Sequence, residues 1–93
     1  MNEFFDALGQ EWVDAAQRRG ATISKPTLDS SIALDLLELA RVAAHTQERR
    51  FAPLTSYLAG VAAERLRAAT TEVDSATIAE FIQEVRKKLE RDA

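Results

Sequence analysis

Cysteine is missing from all 93 residues, so the chain has neither a disulfide framework nor a thiolate metal site, and no redox chemistry of its own. There is one histidine, too few for a histidine-rich metal centre. The three glycines stand far apart, and without a glycine-rich phosphate loop a P-loop or dinucleotide-binding fold is excluded. No apolar run approaches the length of a membrane span, so no membrane partner is expected. The opening MNEFFDALGQ carries acids where a signal peptide has a basic segment, which points to a cytoplasmic protein. An excess of basic charge is lacking too. The formal net charge is -3, with Lys and Arg dispersed among carboxylates, so the footprint of a dedicated nucleic-acid binder is absent and nucleic acid is not an expected partner. No stretch alternates with period two over a useful length, which leaves no strand. A chain of this length fits a single helical domain, residues 1–93, around one core.

What the sequence does contain is helical periodicity, in four segments. The first runs from Asn2 or Glu3 to Arg19, with Phe5, Leu8, Trp12 and Ala16 at helical spacing and Gly20 as its stop. Gly9 costs roughly 1 kcal/mol relative to Ala in a helix interior. A short extra turn over Met1 to Leu8, ahead of a helix from about Gln10, is therefore the alternative. Residues 21–28 read as a linker crossing the end of the bundle. The second helix begins after Asp29, with Ser30 or Ser31 as further candidate caps, and ends near Thr46. Ile32, Leu36, Leu39, Ala40 and Ala43 line one face of it, while Leu34, Leu37 and Ala44 widen the stripe, as expected of a central helix. The third runs from Pro53 to Ala69 and is expected to bury Leu54, Tyr57, Leu58, Val61, Ala62 and Leu66, with Gly60 permitting close approach of a neighbouring helix. In the fourth, Asp74 is a suitable N-cap, and Val73 and Ile78 have the spacing of a hydrophobic staple. Phe81, Ile82, Val85 and Leu89 continue its stripe, and Arg86, Lys87, Lys88 and Arg91 complement the negative end of its dipole. The fold class is all-α: a small bundle of four main helices packed antiparallel through short connections. Leu36, Leu39, Leu58, Val61, Phe81, Ile82 and Val85 are the expected core.

Cations gather in one place. Arg41 and His45 are one helical turn apart, and Arg49 and Arg50 follow before Pro53. If Pro53 opens the third helix, Ala52 is its N-cap and offers no oxygen to the first-turn N–H groups. Those donors, the cations and the hydroxyl of Thr55 together form a candidate anion or ligand site: Arg41, His45, Arg49, Arg50 and Thr55. Protonation of His45 would strengthen anion binding as pH falls. The competing reading is structural, with His45 favoured by the helix dipole, Arg41 paired with Glu38, and Arg49 paired with a nearby acid. Catalysis is not expected. Ser56 near His45 lacks the strand-turn-helix setting of a nucleophile elbow, and Asp35, Glu38, Glu64, Glu80 and Glu84 are spread over polar faces rather than gathered for a metal. No cofactor is implied.

The run LLELARVAAH, the arginine at Arg49 and the run APLTSYLAG, from Leu36 to Gly60, resemble a small bacterial domain of unknown function. That domain is found alone or appended to molybdenum cofactor guanylyltransferases. EWVDAA, from Glu11 to Ala16, resembles its first helix. In the family pattern the arginine is followed by Pro and small residues, whereas Arg50 and Phe51 stand in those places here. The resemblance implies a non-catalytic accessory or binding module linked to the guanine dinucleotide form of molybdopterin. Such a module would hold an anionic pterin or nucleotide group, or dock on a molybdenum cofactor guanylyltransferase or molybdoenzyme. The alternative is a helical protein–protein interaction or homodimerisation domain with no small-molecule ligand, using Phe4, Phe5, Trp12 and Phe51 as contact aromatics.

Overall fold

Asn2 sets the start of the first helix: its side-chain oxygen accepts a hydrogen bond from the Phe5 N–H at 3.2 Å, which satisfies one of the donors a helix N-terminus leaves open. The computed structural model describes residues 2–93, and Met1, part of the alternative N-terminal turn, lies outside the described residues. Helix α1 then runs Glu3–Arg18 without a break at Gly9. It stops at Gly20, which adopts φ +80. The Gly20 N–H donates to the Gln17 carbonyl at 3.0 Å and the Ala21 N–H to the Ala16 carbonyl at 2.9 Å, the paired bonds of a Schellman stop that needs a left-handed residue.

The segment after Gly20 returns along α1. The Pro26 carbonyl lies so near Gly9 that a Cβ there would stand 2.4 Å from its oxygen, and Lys25 Nζ pairs with Asp6 Oδ1 at 2.6 Å. The hydrogen bond from Lys25 holds the Asp6 carboxyl below its usual range. Gly9 is therefore a place of close backbone approach rather than a weak point in the helix.

Three more helices follow: α2 (Ser30–Thr46), α3 (Phe51–Ala69) and α4 (Ser75–Asp92). The protein is all-α, and no strand occurs among the described residues. The chain divides into two compact units, Met1–Ser30 with α1 and its returning segment, and Ser31–Ala93 with the other three helices. In the second unit Leu39, Ala63, Ile78 and Ile82 form the buried cluster, with Ile32, Leu36, Ala59, Leu66, Val73 and Leu89 packed against it. Val73 thus joins Ile78 as the staple spacing predicts. No described helix is long and apolar enough to cross a membrane.

The expected core needs correction at the outer faces. Leu39 and Ile82 are buried, Leu36, Val61 and Phe81 are half-buried, and Leu58 and Val85 are exposed, as are Leu54 and Tyr57. The inward face of α3 is made of Ala59, Ala63 and Leu66, and Leu54, Tyr57 and Leu58 turn outward. Gly60 has no neighbour of the expected kind: no side chain or other segment of the chain comes within 4 Å of the position its Cβ would take.

A polar seam ties α4 to α2. Gln83 Nε2 donates to both carboxylate oxygens of Asp35, at 3.2 and 3.1 Å. Arg86 pairs with Glu90 and is half-buried, not a freely exposed cation of the last turns.

Asp74 caps α4. Its Oδ1 accepts from the Thr77 N–H and from the Thr77 hydroxyl, each at 2.8 Å. The backbone hydrogen bond first, and the hydroxyl second, hold its pKa below the ordinary carboxylate value. A lowered folded pKa adds stability above the unfolded value and loses it as pH falls through the folded one. Asp74→Ala is accordingly expected to melt a few degrees below the parent at neutral pH, with the gap closing below about pH 4. Thermal melts of both proteins across that range check this.

Candidate functional site

The junction between α2 and α3 is a tight turn. The Gln47 N–H donates to the Ala43 carbonyl at 3.0 Å, and the Thr46 hydroxyl to the Val42 carbonyl at 2.8 Å, which closes α2. Helix α3 then begins at Phe51, two residues before the expected Pro53, with Arg50 as N-cap in αR backbone and no side-chain cap. Its first donors are already used. The Phe51 N–H bonds to the Glu48 carbonyl at 3.0 Å and the Ala52 N–H to the Arg49 carbonyl at 3.2 Å, while Pro53 has no N–H to offer. The helix end that the sequence leaves open to an anion is thus largely satisfied by the backbone of the preceding turn.

The candidate side chains divide between two places. Arg41 donates through Nε and an η nitrogen to Glu38 Oε2, at 3.3 and 3.0 Å. Those bonds lower the Glu38 pKa and raise that of Arg41. Arg50 Nε lies 3.3 Å from Glu48 Oε1, and its guanidinium sits 6.0 Å from the Phe51 ring centre, the outer reach of a cation–π contact. His45 and Arg49 are exposed and enter no ion pair among the described residues. Thr55 stands elsewhere. It borders an apolar cleft of about 240 Å³ with Leu39, Leu58, Phe81, Ile82 and Val85, and none of the four cations lines that cleft. Among the described residues no three His, Asp or Glu side chains are placed to share a metal ion.

What the sequence reading missed is the outer face of α3. Leu54, Tyr57 and Leu58 remain 60, 71 and 66% exposed, and with half-buried Val61 they follow helical spacing along one side. Ser56, Tyr57, Val61, Glu64, Arg65 and Ala68 border a shallow notch over Gly60. The available signal was the absence of any charge from Phe51 to Ala63, more apolar surface than one buried face requires.

The family model of the Domain of unknown function (DUF6457) matches residues 6–93. The chain belongs to this family. The match takes in α2, α3 and α4 whole, together with α1 from Asp6 onward. No curated protein and no solved structure matches the chain.

Proposed function

We propose that this member of the DUF6457 family is a non-catalytic accessory module that works by protein contact, in the service of a molybdenum cofactor guanylyltransferase. The observation that carries the reading is the outer face of α3, where Leu54, Tyr57 and Leu58 stay largely in solvent. Scattered exposed apolar residues are ordinary, but a run of them along one helix marks an interaction surface. The guanylyltransferase link rests on the likeness of Leu36 to Gly60. Its second half, APLTSYLAG, is the stretch of α3 that carries these exposed residues.

The test offers the purified domain to the guanylyltransferase and to itself in sedimentation velocity. A complex with the guanylyltransferase is expected, weakened by Leu58→Asp and untouched by Arg91→Ala on the exposed end of α4. If neither complex forms, docking fails.

A second reading keeps an anionic pterin or nucleotide at the junction, favoured by His45 and Arg49, which enter no ion pair among the described residues, with Arg41 and Arg50 as its remaining candidates. Saturable binding of a guanine nucleotide, reduced by Arg49→Ala and His45→Ala and by added salt, is its expected outcome. Arg91→Ala, on the exposed end of α4, is the reference substitution and is expected to leave that binding unchanged.

A further inference from the structure

We infer that the anion site at the α2–α3 junction is autoinhibited by Glu38, which holds Arg41 and releases it by passing to the buried Nε of Arg86 on α4. This rests on the reading that keeps an anion at the junction and names its regulation.

The Nε of Arg86 is buried and has no hydrogen-bond partner among the described residues. An η nitrogen of the same guanidinium reaches Glu90, one turn on, so one arm of the fork is used and the other is idle. An orphaned buried donor carries its full desolvation cost, and most such groups in folded proteins are paired. A carboxylate is the natural complement of a guanidinium N–H.

Glu38 is the carboxylate that stands opposite. Short turns join α2 to α3 and α3 to α4, so α2 and α4 run in the same direction. Gln83 bonds Asp35 across the seam, and three residues further along each helix stand Arg86 and Glu38, on the same faces as that pair. The next turn brings Glu90 level with Arg41. Charge follows this register. The Arg41 hydrogen bond chiefly lowers the Glu38 carboxyl and the Arg86 charge adds to it, while Glu38 chiefly raises Arg41 and the Glu90 charge adds to that. Asp35, the other carboxylate of the seam, already accepts from Gln83 with both oxygens.

Glu38 thus has two possible partners. On Arg41 it forms a pair that is half in solvent, where an ion pair contributes little, and the buried donor goes unpaired. On Arg86 it satisfies that donor and leaves the exposed Arg41 to water. Gains and losses offset, so a ligand that binds only one arrangement selects it. Arg41 lies one turn before His45, and His45 and Arg49 enter no ion pair among the described residues. Passing Glu38 to Arg86 adds a guanidinium to those two groups and moves a negative charge away from the anion. Arg50 stays with Glu48.

Arg86→Lys keeps the positive charge and removes the Nε donor. It is expected to weaken binding of guanosine monophosphate at least about threefold, because Glu38 loses its second partner. In a Glu38→Gln background, with no carboxylate to move, the same substitution is expected to change nothing. Glu38→Gln alone is expected to bind about two- to fivefold tighter, the effect of removing one exposed ion pair. Glu38 is exposed, so that variant keeps the fold, and circular dichroism verifies all of them. The parent chain supplies a measurement that needs no substitution. On saturation with the nucleotide, exchange of the Arg86 Nε–H with water, followed by nitrogen-15 NMR, is expected to slow about tenfold as a charged hydrogen bond forms on it, with the Arg91 Nε–H unchanged.

Equal effects of Arg86→Lys in both backgrounds overturn the proposal, as does an Arg86 Nε–H that the bound nucleotide leaves as it was. The junction reading survives either result, because it stands on saturable binding that Arg49→Ala and His45→Ala reduce. If neither the parent nor Glu38→Gln binds the nucleotide, the junction reading falls and the autoinhibition falls with it.

Discussion

Ile78→Ala is expected to lose about 2 to 5 kcal/mol of unfolding free energy, the range for removing a large aliphatic side chain from a site with no room to relax. Ile78 is 1% exposed and is the largest side chain fully removed from solvent. It sits one turn into α4, its N–H bonded to the Asp74 carbonyl at 3.1 Å, in the cluster with Leu39, Ala63 and Ile82. The cap thus fixes the backbone on which the core residue is mounted. A domain this small has about 5 to 15 kcal/mol in total, so the variant's urea midpoint is expected to fall steeply. Leu58→Ala is the contrast. With two-thirds of Leu58 in solvent in the single chain, its loss is expected to stay within about 0.5 kcal/mol. Comparable losses at the two positions would refute the burial pattern.

The two helices show what periodicity reveals and where it stops. Helix α4 was legible because its signals are local and one-sided: Asp74 before Ser75, Val73 and Ile78 at staple spacing, and a stripe set off by charged residues. Helix α3 has no charge over its first thirteen residues, so a 3.6-residue period finds apolar side chains on every side and cannot say which face turns inward. The decision falls to tertiary packing. Ala59, Ala63 and Leu66 face the core, and Leu54, Tyr57 and Leu58 are left outside.

The junction was misread for a related reason. Proline costs little anywhere in a first helical turn, because the N–H it lacks has no intrahelical partner there. Pro53 therefore marks the turn without marking its first residue, and α3 starts two positions earlier. That shift hands the Phe51 and Ala52 donors to the carbonyls of Glu48 and Arg49. Spacing did anticipate the Arg41–Glu38 pair, since residues three apart share a helix face. It did not anticipate the position of Thr55, whose place at the apolar cleft depends on where α4 lies against α3.

Gly9→Ala carries the second large effect, and its sign separates local propensity from tertiary packing. Propensity alone favours alanine in the interior of a helix by roughly 1 kcal/mol. The added methyl carbon, however, would stand 2.4 Å from the Pro26 carbonyl oxygen and 3.3 Å from the Lys25 Cγ. The lysine chain has room to yield by a few tenths of an ångström, but the nearer atom belongs to the backbone, so the returning segment itself has to move. Movement there strains the Lys25–Asp6 pair and opens the small apolar cleft where Trp12 lies with Leu8, Pro26 and Leu28. A net loss of about 1 to 3 kcal/mol, typical of overpacking, is expected. Gly60→Ala is the matched control, because its added carbon meets nothing within 4 Å. In the monomer it is expected to gain about 0.5 to 1 kcal/mol. Faster hydrogen exchange over residues 21–29 is expected for Gly9→Ala and not for Gly60→Ala. Stabilisation of both variants by the same amount would mean that the segment after Gly20 does not hold against α1.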